Sequence, residues 1–465
     1  MTPRQWSELH RSEMIQDIAA LVACPSVSEA GGASSPYGPG VAKALETAAD
    51  IAGRCGFTVR RSGHVLRVIC KAPDMPDGSE IGIWAHLDVV PPGPGWTRDP
   101  WKMEEHRGYL VGRGVKDNKG PAMAALYAMR WLKEEQVPFP QGLSLYLGAS
   151  EENGMGDLPA YLQEGGSLPD YSIVADGRWP VAFAEKGQLL AEFTTRLHDW
   201  APVVRLEAGS ADNAVCGQAR VWLTERPDVC AENIRLLEEE EGVYVLEARG
   251  ISRHAAFPEG SLNALGLLTK TLSELTQLPP GLRERLEAVA FVASGCDGSA
   301  LGLRCGDADS GPLTCAVTGG DLSPGGDLRF RANIRYPITC SEAELEERLR
   351  SSCREMGFSV RILKSSPPAG ICKSHPLVTA LTAAYSEIMG RTSPPFVLAG
   401  GTYAGRLPQA VSFGMGGWPE PELERAAGPG KGGAHAPNEA VLISNLLRGS
   451  EIYMEALKRL GTTRL

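Results

Sequence analysis

The chain of 465 residues is 43% hydrophobic and 22% charged, which fits a globular protein and excludes a disordered chain, a coiled coil and a collagen-like fibre. Its formal net charge of −10 is unfavourable for binding nucleic acid or an anionic membrane. The N-terminus lacks a signal-peptide pattern, and no stretch approaches the roughly 18 apolar residues of a membrane span, so we expect a cytoplasmic protein. The eleven cysteines form no C-x-x-C pair, which predicts free thiols rather than a disulfide framework.

The first part of the chain alternates between helical and strand patterns. Helices are predicted at 5–22, 119–136 and 155–164, and strands at 65–70, 81–85, 143–149 and 171–175. Short apolar strands separated by helices are typical of an α/β layer with a largely parallel sheet.

The pattern changes after residue 186. Strands are predicted at 189–195, 243–249, 327–336 and 358–363, helices at 263–275 and 341–356, and long helices again at 376–389 and 439–460. We therefore predict a discontinuous α/β domain, residues 1–186 and 367–465, with an inserted α+β domain at 187–366.

Ionisable side chains follow three strands of the predicted sheet. His86 and Asp88 end the first strand, Glu151 and Glu152 follow the second, and Asp176 follows the third. Because ligands bind beyond the carboxyl ends of strands in open α/β sheets, these side chains can converge on one point.

Two loops add further candidates. Asp117 lies in the glycine-rich loop GRGVKDNKG before a predicted helix, and His435 lies in GGAHAPNEA. Alone, the aspartate could be a helix N-cap and the histidine a structural residue. Together with the strand-end residues they favour a shared site.

The number and type of these residues fit two metal ions. The two imidazoles and three carboxylates are His86, Asp117, Glu152, Asp176 and His435. If Asp117 bridges, each ion receives one histidine, one terminal carboxylate and one Asp117 oxygen, with a shared water and about 3.5–4 Å between the ions. Such ligands suit Zn²⁺ best and also accept Mn²⁺ or Co²⁺.

Two neighbouring acidic residues are left for supporting roles. Asp88 is two positions from His86, on the same side of an extended strand, where it can orient the imidazole. Glu151 adjoins a ligand without being needed as one, which is the position for a general base acting on the bridging water.

Four segments resemble one family of enzymes. They are WAHLDVVP at 84–91, GRGVKDNKG at 112–120, SEEN at 150–153 and AHAPNE at 434–439. They resemble the di-zinc exopeptidase family of aminoacylases, desuccinylases and glutamate carboxypeptidases, and the chain is most similar to its PepV/Sapep-type dipeptidase branch. The resemblance covers nearly the whole chain and implies a phosphorylase/hydrolase-like catalytic domain, a mostly parallel sheet and an inserted α+β lid.

The resemblance also implies roles for single residues. His86, Asp117 and Asp176 would hold one metal ion, Asp117, Glu152 and His435 would hold the other, and Glu151 would be the catalytic base. Asn118 stands where the family commonly has Asp.

Three further residues belong to motifs of the predicted lid. His254 in GISRHAAFPEG would help to polarise the scissile carbonyl, although Ala255 replaces a frequent glycine. Arg335 in NIRYP would bind the substrate carboxylate, and Asn213 in ADNAV would reach the substrate. GGTYA at 400–404 also resembles the dipeptidase branch.

The resemblance implies metal-dependent hydrolysis of dipeptides or short peptides with a free C-terminal carboxylate. An alternative in the same family is an N-acyl-amino-acid deacylase or desuccinylase. A remote alternative is a non-catalytic protein that binds peptide or metal. The expected partner is a small-molecule substrate, without nucleic acid or membrane, and a monomer is favoured over a homodimer.

Overall fold

The computed structural model describes residues 1–73, 78–209, 211–229, 231, 233–239 and 242–465. Its helices are α1 Pro3–Val22, α2 Pro39–Arg54, α3 Lys119–Glu134, α4 Asp157–Gln163, α5 Ala264–Glu274, α6 Pro280–Ala293, α7 Glu342–Glu355, α8 Pro376–Met389, α9 Leu423–Ala427 and α10 Ile443–Leu460.

The strands up to residue 249 are β1 Thr58–Arg61, β2 Val65–Lys71, β3 Glu80–His86, β4 Glu104–His106, β5 Tyr109–Val111, β6 Gly142–Gly148, β7 Tyr171–Val174, β8 Ala182–Glu185, β9 Gly187–Arg196, β10 Val203–Ala208, β11 Gln218–Leu223, β12 Ile234–Glu239 and β13 Val243–Arg249. The later strands are β14 Gly306–Asp307, β15 Gly311–Pro312, β16 Thr314–Leu322, β17 Asp327–Tyr336, β18 Ser359–Ser366, β19 Ala369–Gly370, β20 Phe396–Leu398, β21 Ala410–Ser412 and β22 Ala440–Leu442.

The chain divides into two compact units. Unit 1 consists of Met1–Ala184 and Gly370–Leu465, and unit 2 of Glu185–Ala369. The sequence placed the changes of domain at 186/187 and 366/367, two or three residues from these positions.

Unit 1 is built on a mixed sheet whose centre is parallel. The strand order is β1-β2-β6-β3-β7-β21-β8-β19, and β20 also pairs with β8. Strands β6, β3, β7 and β21 run parallel to one another, whereas β1, β2 and β8 join antiparallel. Every residue of β6 is buried, which matches its continuous apolar sequence. Helices α3 and α10 pack together, and α10 also packs on α8.

Unit 2 has an antiparallel sheet with the strand order β12-β13-β11-β10-β16-β17-β9-β18. Its buried core includes Phe193 and Phe330, whose rings stack with centroids 4.3 Å apart on the neighbouring strands β9 and β17. Helices α5 and α6 pack against each other, and α5 also contacts β11 and β13. This antiparallel sheet with packed helices is the α+β pattern that the sequence predicted.

One sequence-based prediction needs correction at the level of a single element. Residues 439–460 were expected to form one helix, but Ala440–Leu442 is a strand that pairs with Tyr109–Val111 before the helix begins at Ile443. Helices α2, α6 and α9 were not predicted. No helix in the described ranges is long and apolar enough to cross a membrane, and each of the ten cysteines described is a free thiol.

Candidate metal centre

The parallel strands of unit 1 bring the predicted residues to one edge of the sheet. In the register of β3 and β6, His86 lies opposite Gly148, and Trp84 lies opposite Val174 of β7. The three strands therefore end at nearly the same level. The residues that follow them emerge together, as the sequence predicted for carboxyl ends of parallel strands.

Asp117 lies between two histidines that are far apart in sequence. Its Oδ1 is 3.1 Å from His86 Nε2, and its Oδ2 is 3.1 Å from His435 Nε2. The same nitrogen of His435 is 2.9 Å from Glu152 Oε1. One carboxylate thus offers one oxygen to each imidazole, which is the arrangement expected of a ligand shared by two ions.

The remaining acidic groups complete the cluster around His86. Asp176 Oδ2 is 3.8 Å from His86 Nε2. Two sets of three residues each have ligand atoms within 4.8 Å of one another: His86, Glu151 and Asp176 form one set, and His86, Asp117 and Glu152 form the other. Glu151 therefore reaches the position of a ligand as well as that of a base, and geometry alone leaves both roles open to it.

Two buried aspartates hold the loop that carries the glutamates. Asp157 Oδ2 accepts the backbone N–H groups of Ala149 (2.6 Å) and Ser150 (3.0 Å). Asp88 accepts the next two, from Glu151 at Oδ1 and from Glu152 at Oδ2, both at 3.0 Å. Four successive N–H groups are thereby bonded to carboxylates, which fixes the direction in which the glutamate side chains leave the strand.

The bonds of Asp88 to this loop add to its predicted contact with His86. The closest partner of His86 Nδ1 is the backbone carbonyl of Asp88, at 2.9 Å, whereas the Asp88 carboxylate is 3.5 Å away. Because a carbonyl only accepts, Nδ1 carries the proton, and Nε2 is left to face Asp117 and Asp176. That is the tautomer in which Nε2 can bind a metal ion.

The cluster concentrates buried negative charge. Burial raises the pKa of Asp176 to about 7, helped by Asp117, and burial with neighbouring carboxylates raises the pKa of Glu151 well above its usual range. The carboxylates of Asp117 and Glu152 in turn raise the pKa of His435 to about 10. Carboxylates in such a group attract cations, and the nitrogen and oxygen donors, once the imidazoles are neutral, fit divalent metal ions.

Hydrogen bonds link the segments of unit 2 that carry its three predicted residues. Asn213 accepts through its backbone carbonyl from the N–H of Ala255, next to His254 (2.8 Å). Arg335 Nε donates to Asn333 Oδ1 (2.9 Å), and Asn333 Nδ2 donates to the carbonyl of Asp212 (2.9 Å). The segments that carry Asn213, His254 and Arg335 are thus linked within unit 2.

The side chains of this group differ in exposure. His254 and Asn213 are exposed, whereas Arg335 is only 5% exposed, and burial lowers its pKa to about 10. Nδ1 of His254 accepts the N–H of Ala256 at 3.2 Å, so its neutral ring carries the proton on Nε2, which is able to donate.

Comparison with known proteins identifies the family. Residues 82–459 match the family described as Peptidase family M20/M25/M40. The chain belongs to this family. The family predicted from the sequence is thereby confirmed, as is the enzyme class of a metal-dependent peptidase.

Similar proteins extend over almost the full chain. A putative dipeptidase of Bacillus subtilis, YtjP, is 28% identical, and the match covers 97% of this chain and 98% of that protein. Human carnosine dipeptidase 1 has a TM-score of 0.59 at 16% identity, covering 99% and 98% of the two chains. The dipeptidase Dug1p of Saccharomyces cerevisiae has a TM-score of 0.58 at 14% identity, covering the same shares. These similarities confirm the predicted fold class of the M20 peptidase.

Four buried residues next to the cluster were given no role from sequence. They are Arg113, Asp157, Tyr403 and Glu439. Arg113, Tyr403 and Glu439 lie inside motifs quoted above, which was the available signal. Asp157 and Glu439 accept backbone N–H groups, Tyr403 donates to Asp157, and Arg113 donates to Glu439. Contacts of these kinds leave no local pattern in the sequence.

Proposed function

We propose that this M20 peptidase is a metallodipeptidase, which hydrolyses the amide bond of dipeptides or short peptides that have a free C-terminal carboxylate. The observation that carries the proposal is the position of Asp117. One of its carboxylate oxygens lies 3.1 Å from His86, and the other lies 3.1 Å from His435. The dipeptidase names of the similar proteins support the same substrate class.

The proposed ligands divide into two sets that share Asp117. His86 and Asp176 complete one set, and Glu152 and His435 complete the other. Two divalent ions, with Zn²⁺ favoured and Mn²⁺ or Co²⁺ accepted, would lower the pKa of a shared water and polarise the scissile carbonyl. The residues fit two divalent cations because the cluster holds more buried carboxylates than its two imidazoles can balance in charge.

Glu151 is the proposed proton carrier. Its side chain lies within reach of His86 and Asp176, where it can act on a water held between the proposed ions. Glu151 accepts the proton of the attacking water and then delivers it to the leaving amine. Asp88 supports this role, because it fixes the backbone of Glu151.

Unit 2 is the proposed lid and supplies the groups that bind the substrate. His254 donates from Nε2 to the carbonyl oxygen as negative charge develops there. Arg335 binds the C-terminal carboxylate through its planar pair of donors, which restricts the substrate to molecules with that group. Asn213 adds a polar contact to the substrate.

A substrate panel tests this proposal. The purified protein is loaded with Zn²⁺, Mn²⁺ or Co²⁺ and assayed with dipeptides, their C-terminal amides, and N-acetyl and N-succinyl amino acids. We expect turnover of free dipeptides that a chelator abolishes and added metal restores. Faster turnover of the acyl amino acids would assign a deacylase instead, and no turnover of any amide would leave a binding protein.

A further inference from the structure

Two charged residues of the motifs are fully buried and have no part in the proposed chemistry. Arg113 is 1% exposed and Glu439 is 0% exposed. They are 326 positions apart, and Arg113 Nη1 donates to Glu439 Oε2 at 2.6 Å. Two charges are costly to bury unless their remaining polar atoms are also bonded, so the further partners of the pair indicate its role.

Glu439 bonds the backbone of the loop that contains Asp117. Its Oε1 accepts the N–H groups of Lys116 (2.9 Å) and Asp117 (3.0 Å), and its Oε2 accepts the N–H of Gly114 (3.1 Å) in addition to Arg113. Both oxygens act only as acceptors, which requires an ionised carboxylate. Glu439 thereby fixes the backbone of the residue whose side chain faces both histidines.

Arg113 forms hydrogen bonds with the loop that contains His435 and with the segment after β3. Its Nη2 faces the carbonyl oxygens of Pro92 and His435, at 3.3 Å and 3.4 Å, and that of Pro91 at 3.5 Å. His435 has a φ of 63°, which is uncommon for a residue with a side chain, so external contacts are needed to maintain its backbone. The guanidinium provides such a contact and links it to Glu439.

We infer that Arg113 and Glu439 form a clamp that positions Asp117 and His435 for metal binding. They are positioning residues, because their contacts reach the metal ligands through the backbone. The inference rests on the proposed metal centre and adds that its geometry depends on an ion pair joining two loops that are distant in sequence. Contacts of this kind typically change metal affinity by about 10–100-fold when they are removed.

Glu439→Gln is the main test. The amide keeps the size of the side chain, but its NH₂ group must face either the N–H groups of Lys116 and Asp117 or the donors of Gly114 and Arg113. We expect affinity for Zn²⁺, measured in competition with a chelating indicator, to fall about 10–100-fold at both sites. In the metal-free protein, amide hydrogen exchange across residues 113–119 should be faster than in the wild type.

Asp17→Asn is the matched control. Asp17 is a buried carboxylate of unit 1 that accepts from Tyr127 (2.8 Å) and Arg54 (2.5 Å), and both of these partners lie outside the loops of the centre. The Asp17→Asn substitution should lower the melting temperature and leave Zn²⁺ affinity unchanged. At saturating Zn²⁺, Glu439→Gln should recover kcat with an unchanged KM, because its defect lies in metal occupancy.

Arg113→Lys provides a second variant that retains the charge. A lysine can still bond Glu439 but cannot also reach the carbonyl of His435, so it should weaken the ion assigned to His435 more than the other. Wild-type Zn²⁺ affinity in both Glu439→Gln and Arg113→Lys would overturn the clamp. If Glu439→Gln does not fold, wild-type affinity for both ions in Arg113→Lys is sufficient to overturn the clamp. A wild-type protein that binds no divalent ion would instead overturn the proposed function.

Discussion

The backbone N–H of Glu151 donates a 3.0 Å hydrogen bond to Oδ1 of Asp88, although 63 positions separate the two residues. The other oxygen of Asp88 accepts from Glu152, so one buried carboxylate fixes the two adjacent glutamates. Glu151 is the proposed base and Glu152 a proposed ligand, so their side chains must point in different directions. Because Asp88 anchors the N–H groups of both, it fixes the direction of each side chain.

Asp88→Asn should therefore impair the centre without removing a ligand. The amide has one acceptor oxygen, so one of the two N–H groups loses its partner and faces an NH₂ group. We expect metal affinity or kcat/KM to fall about 10–100-fold. Asp170→Asn is the control, because Asp170 bonds the N–H of Glu80 at the opposite end of the strand that ends in His86. Equal losses in both variants would contradict a local role for Asp88.

Gly148→Ala should destabilise unit 1. A Cβ at Gly148 would lie 1.9 Å from Tyr403 Oη and 2.7 Å from Asp157 Oδ2, and these two atoms share a 2.5 Å hydrogen bond. Both side chains are buried, so the clash should cost about 1–3 kcal/mol or more. Chemical denaturation measures the loss. Gly156→Ala, where the added Cβ meets nothing within 4 Å, should be tolerated; a similar loss there would show that packing at Gly148 is not the cause.

Asp117→Ala should lose both metal ions, since its two oxygens face two different histidines. Asp176→Ala should lose mainly the ion assigned to His86. Elemental analysis after gel filtration measures the metal content of both variants. Full occupancy in Asp117→Ala would show that Asp117 does not bridge.

The sequence predicted the strands of unit 1 well where burial leaves a local pattern. The apolar runs before His86, Glu151 and Asp176 correspond to β3, β6 and β7. Helix α2 was missed because Pro39, which can be read as a helix breaker after a glycine- and proline-rich stretch, occupies its first turn. The strand Ala440–Leu442 was taken for helix because its partner, Tyr109–Val111, is over 300 residues away.

The same distinction applies to the site. Residues with side chains of metal-binding type could be found from type and spacing. The buried groups that hold their backbone, such as Glu439 and Asp157, could not, because their partners are N–H groups, which every residue except proline has.

Arg335→Ala should raise KM for dipeptides by removing the proposed partner of the C-terminal carboxylate. A buried charge-assisted pair is worth about 2–5 kcal/mol on truncation. The variant should discriminate much less between a dipeptide and its C-terminal amide. Arg335→Lys is the matched variant, because it keeps the charge but loses the planar pair of donors, and it should restore only part of the preference. An unchanged preference for the free acid in Arg335→Ala would assign the carboxylate to another residue.

Glu151→Gln separates the two roles that geometry allows for Glu151. If Glu151 is the base, the amide isostere keeps its volume and leaves both metal ions and KM nearly unchanged, whereas kcat collapses because an amide cannot carry the proton. General acid–base catalysis contributes about 10²–10⁴-fold, and one residue serves both proton transfers here, so we expect a loss at the upper end. Glu152→Gln is the neighbouring control and should weaken one metal ion first. Metal content and kcat are measured on both variants.

Two results would contradict this assignment. Loss of metal in Glu151→Gln with retention in Glu152→Gln would exchange the roles of the two glutamates. If Glu151→Gln keeps more than about a tenth of wild-type kcat, the reaction requires a different proton carrier.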